Sequence, residues 1–198
     1  EYDLNDVLSM LVFARIIFPG SKKNSLELSQ MFLEKPGCEL HQVYRALEIL
    51  AKENDFFQSQ LYKNSDQIMD RRKGVLYYDC TNYYFEIEKE DDFRKYGFSK
   101  EHRPNPIVQM GLFMDADGIP LTFSVFNGNE NEQPSMKPLE KKILSDFGVK
   151  RFVVCTDAGL SSAPNRILNN TADRRFVTTQ SIKKLKSFLK DFCLSDEG

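Results

Sequence analysis

The chain lacks any long hydrophobic run. Its longest, near Leu11 to Phe18, is interrupted by Arg15 and falls well short of the roughly 20 apolar residues a membrane span requires. Metal- and disulfide-forming residues are sparse. Cys38, Cys80, Cys155 and Cys193 show no C-x-x-C spacing and only His41 and His102 could join them, so free thiols in a reducing cytosol are expected over a zinc site or a disulfide framework. An excess of positive charge is missing too. Twenty-seven basic against 29 acidic residues leave a formal charge of −2, which argues against a protein that coats nucleic acid non-specifically but permits local basic faces. There is no internal repeat, no low-complexity segment and no signal peptide; the first residue is Glu1 rather than Met, so trimming from a longer product is expected. What remains is 198 residues, 41% hydrophobic and 28% charged, enough for one sizeable core and a smaller appendage.

The first third reads as helical. Leu4, Val7, Leu8, Leu11, Val12 and Phe18 recur at helical spacing from about Asp3 until Pro19-Gly20, and a short helix is expected from Ser25 to Glu34. A third follows from about Glu39 to Asn54, with Leu40, Val43, Tyr44, Leu47 and Leu50 on one face, and a weaker pattern spans Phe56 to Arg72. The Pro36-Gly37 connection between the second and third invites a helix-turn-helix reading. The later helix offers only His41, Gln42 and Arg45 near its start, which favours packing or dimerisation over base reading. Residues 1–73 form a helical region for DNA binding or dimerisation on this reading.

After Arg71-Arg72-Lys73-Gly74 the period switches to that of strands. The first strand is Val75 to about Phe85; an acidic patch (Glu86, Glu88, Glu90, Asp91, Asp92) and a polar 99–105 segment read as solvated loop. Strands at Ile107 to Met114 and Ile119 to Phe126 flank Asp115-Ala116-Asp117-Gly118. That fragment resembles the start of a calcium loop, but the later ligands are absent and a hairpin turn is expected. A helix from Ser135 to Phe147 then feeds the apolar strand Phe152 to Cys155, read as parallel and covered on both faces. A helix near Ser161 or Ser162, a strand at Arg175 to Thr179 and an amphipathic helix from Ser181 to Phe192 complete the chain.

Two carboxylates stand out. Asp79 sits inside the strand run 75–84, where burial of an ionised group costs several kcal/mol unless compensated, and Asp157 ends the run 151–159. If the fourth strand lies beside the first and parallel to it, the two acids converge. Like charges brought close favour a divalent cation between them, and hard oxygen ligands select Mg²⁺ or Mn²⁺. Either aspartate could instead cap a turn.

These segments carry a resemblance. Tyr78-Asp79-Cys80-Thr81 resembles the D-x-T motif of the DDE transposases of bacterial insertion sequences, and Thr156-Asp157-Ala158-Gly159-Leu160 is similar to their second-acid motif. Gly111-Leu112-Phe113-Met114, Gly118-Ile119-Pro120-Leu121, Asn127-Gly128-Asn129 and Glu132 also match what that family places between its first two acids. The resemblance covers roughly Gly74 to Lys184. It implies a ribonuclease-H-like α/β core over 74–198, with an antiparallel three-strand meander followed by parallel strands with helices. It further implies cleavage of transposon-end DNA and joining to target DNA with two Mg²⁺ (or Mn²⁺), a homo-oligomer on double-stranded DNA, and a bacterial, nucleoid-associated location. Asp79 would bridge both metals, Asp157 would ligate one, and Thr81 would support the site.

The family's third acid, a glutamate in a tyrosine, arginine, glutamate and lysine motif, is not found before Gly198; Asp173, Asp191, Asp196 and Glu197 lack that context. A fragment truncated before the third acid, and inactive in strand cleavage, is therefore expected. The alternatives are a non-catalytic DNA-binding or oligomerisation module, or a ribonuclease-H-like nuclease. For DNA contacts the candidates are Arg174, Arg175, Lys183, Lys184 and Lys186, with Lys190 nearby and Arg71, Arg72 and Lys73 as a lesser addition.

Overall fold

Asp3 opens the first helix by accepting the Asn5 N–H at 2.8 Å, and α1 (Leu4–Ile17) runs until Pro19-Gly20. The computed structural model describes residues 2–171 and 173–195. Ser21 caps α2 (Lys22–Ser29), which starts and ends earlier than the expected 25–34 because the cap lies at Ser21 and not beside Ser25. Gln42 reaches back to the Glu39 N–H at 2.8 Å and sets the start of α3 (Leu40–Lys52). Val7, Met10, Val43 and Ala46 form a small core, with Leu4, Leu11, Leu26 and Cys38 packed against it. α4 (Asn54–Ile68) follows.

The chain forms two compact units, Glu1–Phe57 and Gln58–Gly198. The change of period at 73/74 marks where strands begin; the second unit begins earlier, within α4. No single described helix is long and apolar enough to cross a membrane.

The second unit is built on a five-stranded sheet of β1 (Val75–Tyr84), β2 (Ile107–Met114), β3 (Pro120–Asn127), β4 (Phe152–Thr156) and β5 (Arg174–Thr178). The spatial order is β3-β2-β1-β4-β5. β1, β2 and β3 form an antiparallel meander, and β4 and β5 join parallel to β1. This is the ribonuclease-H-like arrangement expected from sequence. Two further helices, α5 (Met136–Ser145) and α6 (Ala163–Leu168), follow β3 and β4.

The core lies on one face of the sheet, where Leu76, Tyr78, Cys80, Phe113, Phe152 and Val154 meet Tyr62 of α4 and Met136, Leu139 and Ile143 of α5. Tyr78 crosses the sheet over Gly111, where an added Cβ would lie 2.1 Å from the phenol oxygen. Ser135 Oγ meets that oxygen at 2.5 Å. Arg71 is buried and fixes the hairpin turn. It donates to Asp115 Oδ2 at 2.5 Å, to Ser65 Oγ at 2.6 Å and to the Ile119 and Pro120 carbonyls at 3.0 Å. Asp115 Oδ1 accepts the N–H groups of Asp117 and Ile119, and Gly118 takes φ 76°. The Asp-x-Asp-Gly fragment is thus a turn.

Two expectations are corrected. β4 is not covered on both faces: Phe152 and Val154 are buried, whereas Val153 and Cys155 are half-buried and Val177 beside them is exposed. Within the second unit, the described core side chains of α4 and α5 pack on the other face of the sheet. Nor is 181–192 one helix. A 3-10 turn (Ile182–Lys184) is followed by extended backbone at Leu185 and Lys186, and α7 (Ser187–Leu194) starts after it. No described side chain of α7 is buried, so the packing that holds a longer amphipathic helix together is missing.

Candidate metal and nucleic-acid site

Alternation along β1 decides which side chains reach the core and which the open face. Leu76, Tyr78 and Cys80 are buried, whereas Tyr77 and Asp79 are exposed. The sequence reading placed Asp79 in a buried environment. Its side chain is 67% exposed, because the strand is apolar on its inner face and meets solvent on its outer one.

The register brings the second acid beside it. Val75, Leu76 and Tyr77 pair with Val153, Val154 and Cys155, and Asp79 and Asp157 each lie two residues beyond the last of these pairs. Neighbouring strands lie about 4.8 Å apart. Both acids line one open cleft of about 540 Å³ with Tyr77, Tyr78, Cys155, Thr156, Val177, Thr178 and Thr179. The expected parallel pairing of the fourth strand with the first is found.

Each carboxylate has one oxygen engaged locally. The Gly74 carbonyl accepts the Val153 N–H at 2.9 Å, so even-numbered backbone groups of β1 point toward β4. β4 ends at Thr156, which leaves the Cys80 N–H facing past its end; Asp79 Oδ1 takes it at 2.8 Å. Asp157 caps the 3-10 turn Ala158–Leu160 by accepting the Leu160 N–H on Oδ1 at 3.1 Å. Its carbonyl accepts from Thr178 Oγ1 at 3.0 Å, which ties the acid to β5. The Oδ2 atoms of both acids take no side-chain or capping hydrogen bond among the described residues. Close approach matters at Gly159, where an added Cβ would stand 3.3 Å from Asp157 Oδ2.

Thr81 lies two residues beyond Asp79 on the same side of the strand, half-buried and opposite Met110; it does not line the cleft. Asp173 is at the other end of the sheet with Gly74, Arg151 and Arg175, Asp191 is on α7, and Asp196 and Glu197 lie outside the described residues. No group of three or more His, Cys, Asp or Glu side chains with metal-holding geometry occurs among the described residues.

The basic candidates are not one surface. Lys183 and Lys184 are on the 3-10 turn and Lys186 caps α7, all exposed. Arg174 is drawn inward, 15% exposed, with Nη1 3.7 Å from Glu140 Oε2. Arg175 is exposed and donates to the Arg174 carbonyl at 2.6 Å. Arg71 is buried on Asp115, Arg72 binds Asp117, and Lys73 meets Asp66 at 2.6 Å, so this triplet is consumed by intramolecular pairs.

Sequence reasoning missed two polar centres. Lys100, from the segment read as solvated loop, stands with Nζ 3.9 Å from Asp79 Oδ1 and donates to the Cys80 carbonyl. Glu140 is fully buried on α5, accepts from Asn169 Nδ2 at 2.5 Å, and is pushed up to about 7 chiefly by burial, against the pull of the Asn169 bond and the Arg174 charge. Helical periodicity carried a signal for Glu140, which stands four residues after Met136 and three before Ile143 and so falls on the apolar face of α5.

No protein-family model matches the chain, and no curated protein sequence matches it. Among solved structures it is similar to the piggyBac transposase in a synaptic complex with hairpin DNA, at 11% identity and TM-score 0.49, covering 94% of this chain and 43% of that one. It is also similar to the Mos1 transposase in a paired-end complex with the left transposon end, at 9% identity and TM-score 0.38, covering 89% and 59%. A Mos1 mariner paired-end complex with Mn matches at 10% identity and TM-score 0.35, covering 88% and 58%. The chain therefore spans less than half of the first of these proteins and under three fifths of the two Mos1 chains just described. The fold assignment rests on the strand order and register themselves.

Proposed function

We propose that this chain carries part of the catalytic core of a DDE transposase and supplies two of its metal-binding acids, Asp79 and Asp157. One observation supports the reading: two carboxylates that follow the paired segments of adjacent parallel strands, each with one oxygen tied locally, line one open cleft. That donor set fits Mg²⁺ or Mn²⁺, hard cations commonly held by one or two carboxylates together with phosphate oxygens. A bound divalent ion would polarise a phosphoryl oxygen and lower the pKa of an attacking water or hydroxyl. The chain's own part is to hold Asp79 by the Cys80 N–H and Asp157 by the Leu160 N–H on the wall of one cleft. The resemblance of the two acid motifs to those of insertion-sequence transposases supports DNA as the substrate, with Lys183, Lys184 and Lys186 as phosphate contacts. Transposon ends, a DNA-bound homo-oligomer, a complete two-ion site and a bacterial nucleoid setting belong to the same proposal.

A second reading is favoured by the same capping bonds: an aspartate that only closes a turn also accepts a local N–H. Titration calorimetry separates the two. Mg²⁺ is expected to bind wild-type 1–198 and to lose binding in both D79N and D157N, while the fold is kept. Equal heats in wild type and both variants would leave the aspartates as turn caps.

A further inference from the structure

Two acids facing an open cleft repel a DNA phosphate, and a cation next to them is the simplest correction. Lys100 is placed there. It is the residue seen in ion-pair range of Asp79 among the described residues, and no basic side chain lines the cleft itself. Its ammonium has three donors: one goes to the Cys80 carbonyl and one faces Asp79. The side chain is 43% exposed, so a third N–H is open to a ligand.

The placement is built by the chain. Asn82 on β1 clamps the segment from both sides, donating from Nδ2 to the Phe98 carbonyl at 3.4 Å and accepting the Lys100 N–H on Oδ1 at 3.3 Å. Ser99, buried, closes the turn beyond by accepting the His102 N–H on its carbonyl at 3.0 Å and the Arg103 N–H on its hydroxyl at 3.2 Å. His102 completes that turn with φ 57°. Because β4 stops at Thr156, the β4-facing edge of β1 is vacant at Cys80, and the Lys100 ammonium fills it. A solvated lysine requires none of these contacts.

We propose that Lys100 is a phosphate-binding residue of the Asp79–Asp157 site, gripping a backbone phosphate of the DNA beside the two acids, with Asn82 as its positioning residue. This rests on the proposed function. A lysine suits the task as a compact charge that swings between Cys80, Asp79 and an incoming phosphate.

The test is binding of a short random-sequence duplex to 1–198 in Mg²⁺ across a salt series, followed by fluorescence anisotropy, for wild type, K100R, K100Q and K100A. K100Q preserves a donor for the Cys80 carbonyl while removing the charge, and so guards against a variant that fails only by losing the turn. K100Q and K100A are expected to bind about tenfold more weakly on any sequence, with a salt slope lower by about one, and K100R to bind like wild type. A K100Q with the wild-type slope and affinity overturns the assignment, as does an absence of duplex binding by the wild type. The Mg²⁺ calorimetry tells these failures apart from that of the wider reading: metal bound through Asp79 and Asp157 with K100Q indistinguishable from wild type removes Lys100 alone, whereas no metal heat removes the site.

Discussion

Glu140 shows what a single buried acid does to the stability of this fold. Its carboxyl is raised from an ordinary 4.5 to about 7, first by burial. The folded state therefore keeps a proton that the unfolded chain releases between those values, so the associated stability is complete below about pH 4.5 and is lost as pH rises to about 7. The loss is of the order of 3 kcal/mol. Denaturation midpoints measured from acid to neutral pH are expected to fall in wild type and to stay flatter in E140Q. Gly111 offers a second test at the same scale. G111A drives a methyl group into the Tyr78 phenol and is expected to cost about 1–3 kcal/mol by overpacking. In a Y78F background, with the phenol oxygen gone, part of that cost should disappear, and a double-mutant cycle by urea denaturation measures the coupling.

Among elements, the β2–β3 hairpin is held from outside by Arg71. The guanidinium satisfies Asp115, Ser65 and two carbonyls while itself buried, so R71A leaves an unpaired buried carboxylate and is expected to cost about 3–5 kcal/mol in equilibrium unfolding. The residues 182–194 act differently. Lys183, Lys184 and Lys186 stand on a 3-10 turn and a cap, free of the buried packing that would fix them. Replacing the three by Gln is expected to leave thermal stability nearly unchanged and to weaken duplex binding with a shallower salt slope, read by anisotropy.

For the molecule as a whole, the parts legible in sequence were those set by local period and turn chemistry. β2 matches its expected bounds, Asp115 to Gly118 makes the expected turn, and β4 pairs parallel to β1, so that Asp79 and Asp157 line one cleft. What escaped was set by tertiary contact. Asp79 reads as buried only if β1 is taken as apolar throughout, whereas Tyr77 and Asp79 face the open side. Lys100 depends on a clamp from Asn82, eighteen residues away, and the fate of Arg71 and Arg174 was decided by Asp115 and Glu140, distant in sequence. The break at Leu185 followed from a missing packing partner, which no periodicity records. On the proposed reading, purified 1–198 with Mg²⁺ and duplex DNA is expected to bind without cutting; strand cleavage on a denaturing gel would contradict that.

On the proposed reading, Asp79 and Asp157 share a divalent ion. Mn²⁺ titrated into isotope-labelled 1–198 tests it most directly, through paramagnetic broadening of the amide spectrum. Broadening concentrated on residues around Asp79 and Asp157, and lost in D79N, is the expected result. Uniform broadening, or none at these two strand ends, would contradict the account.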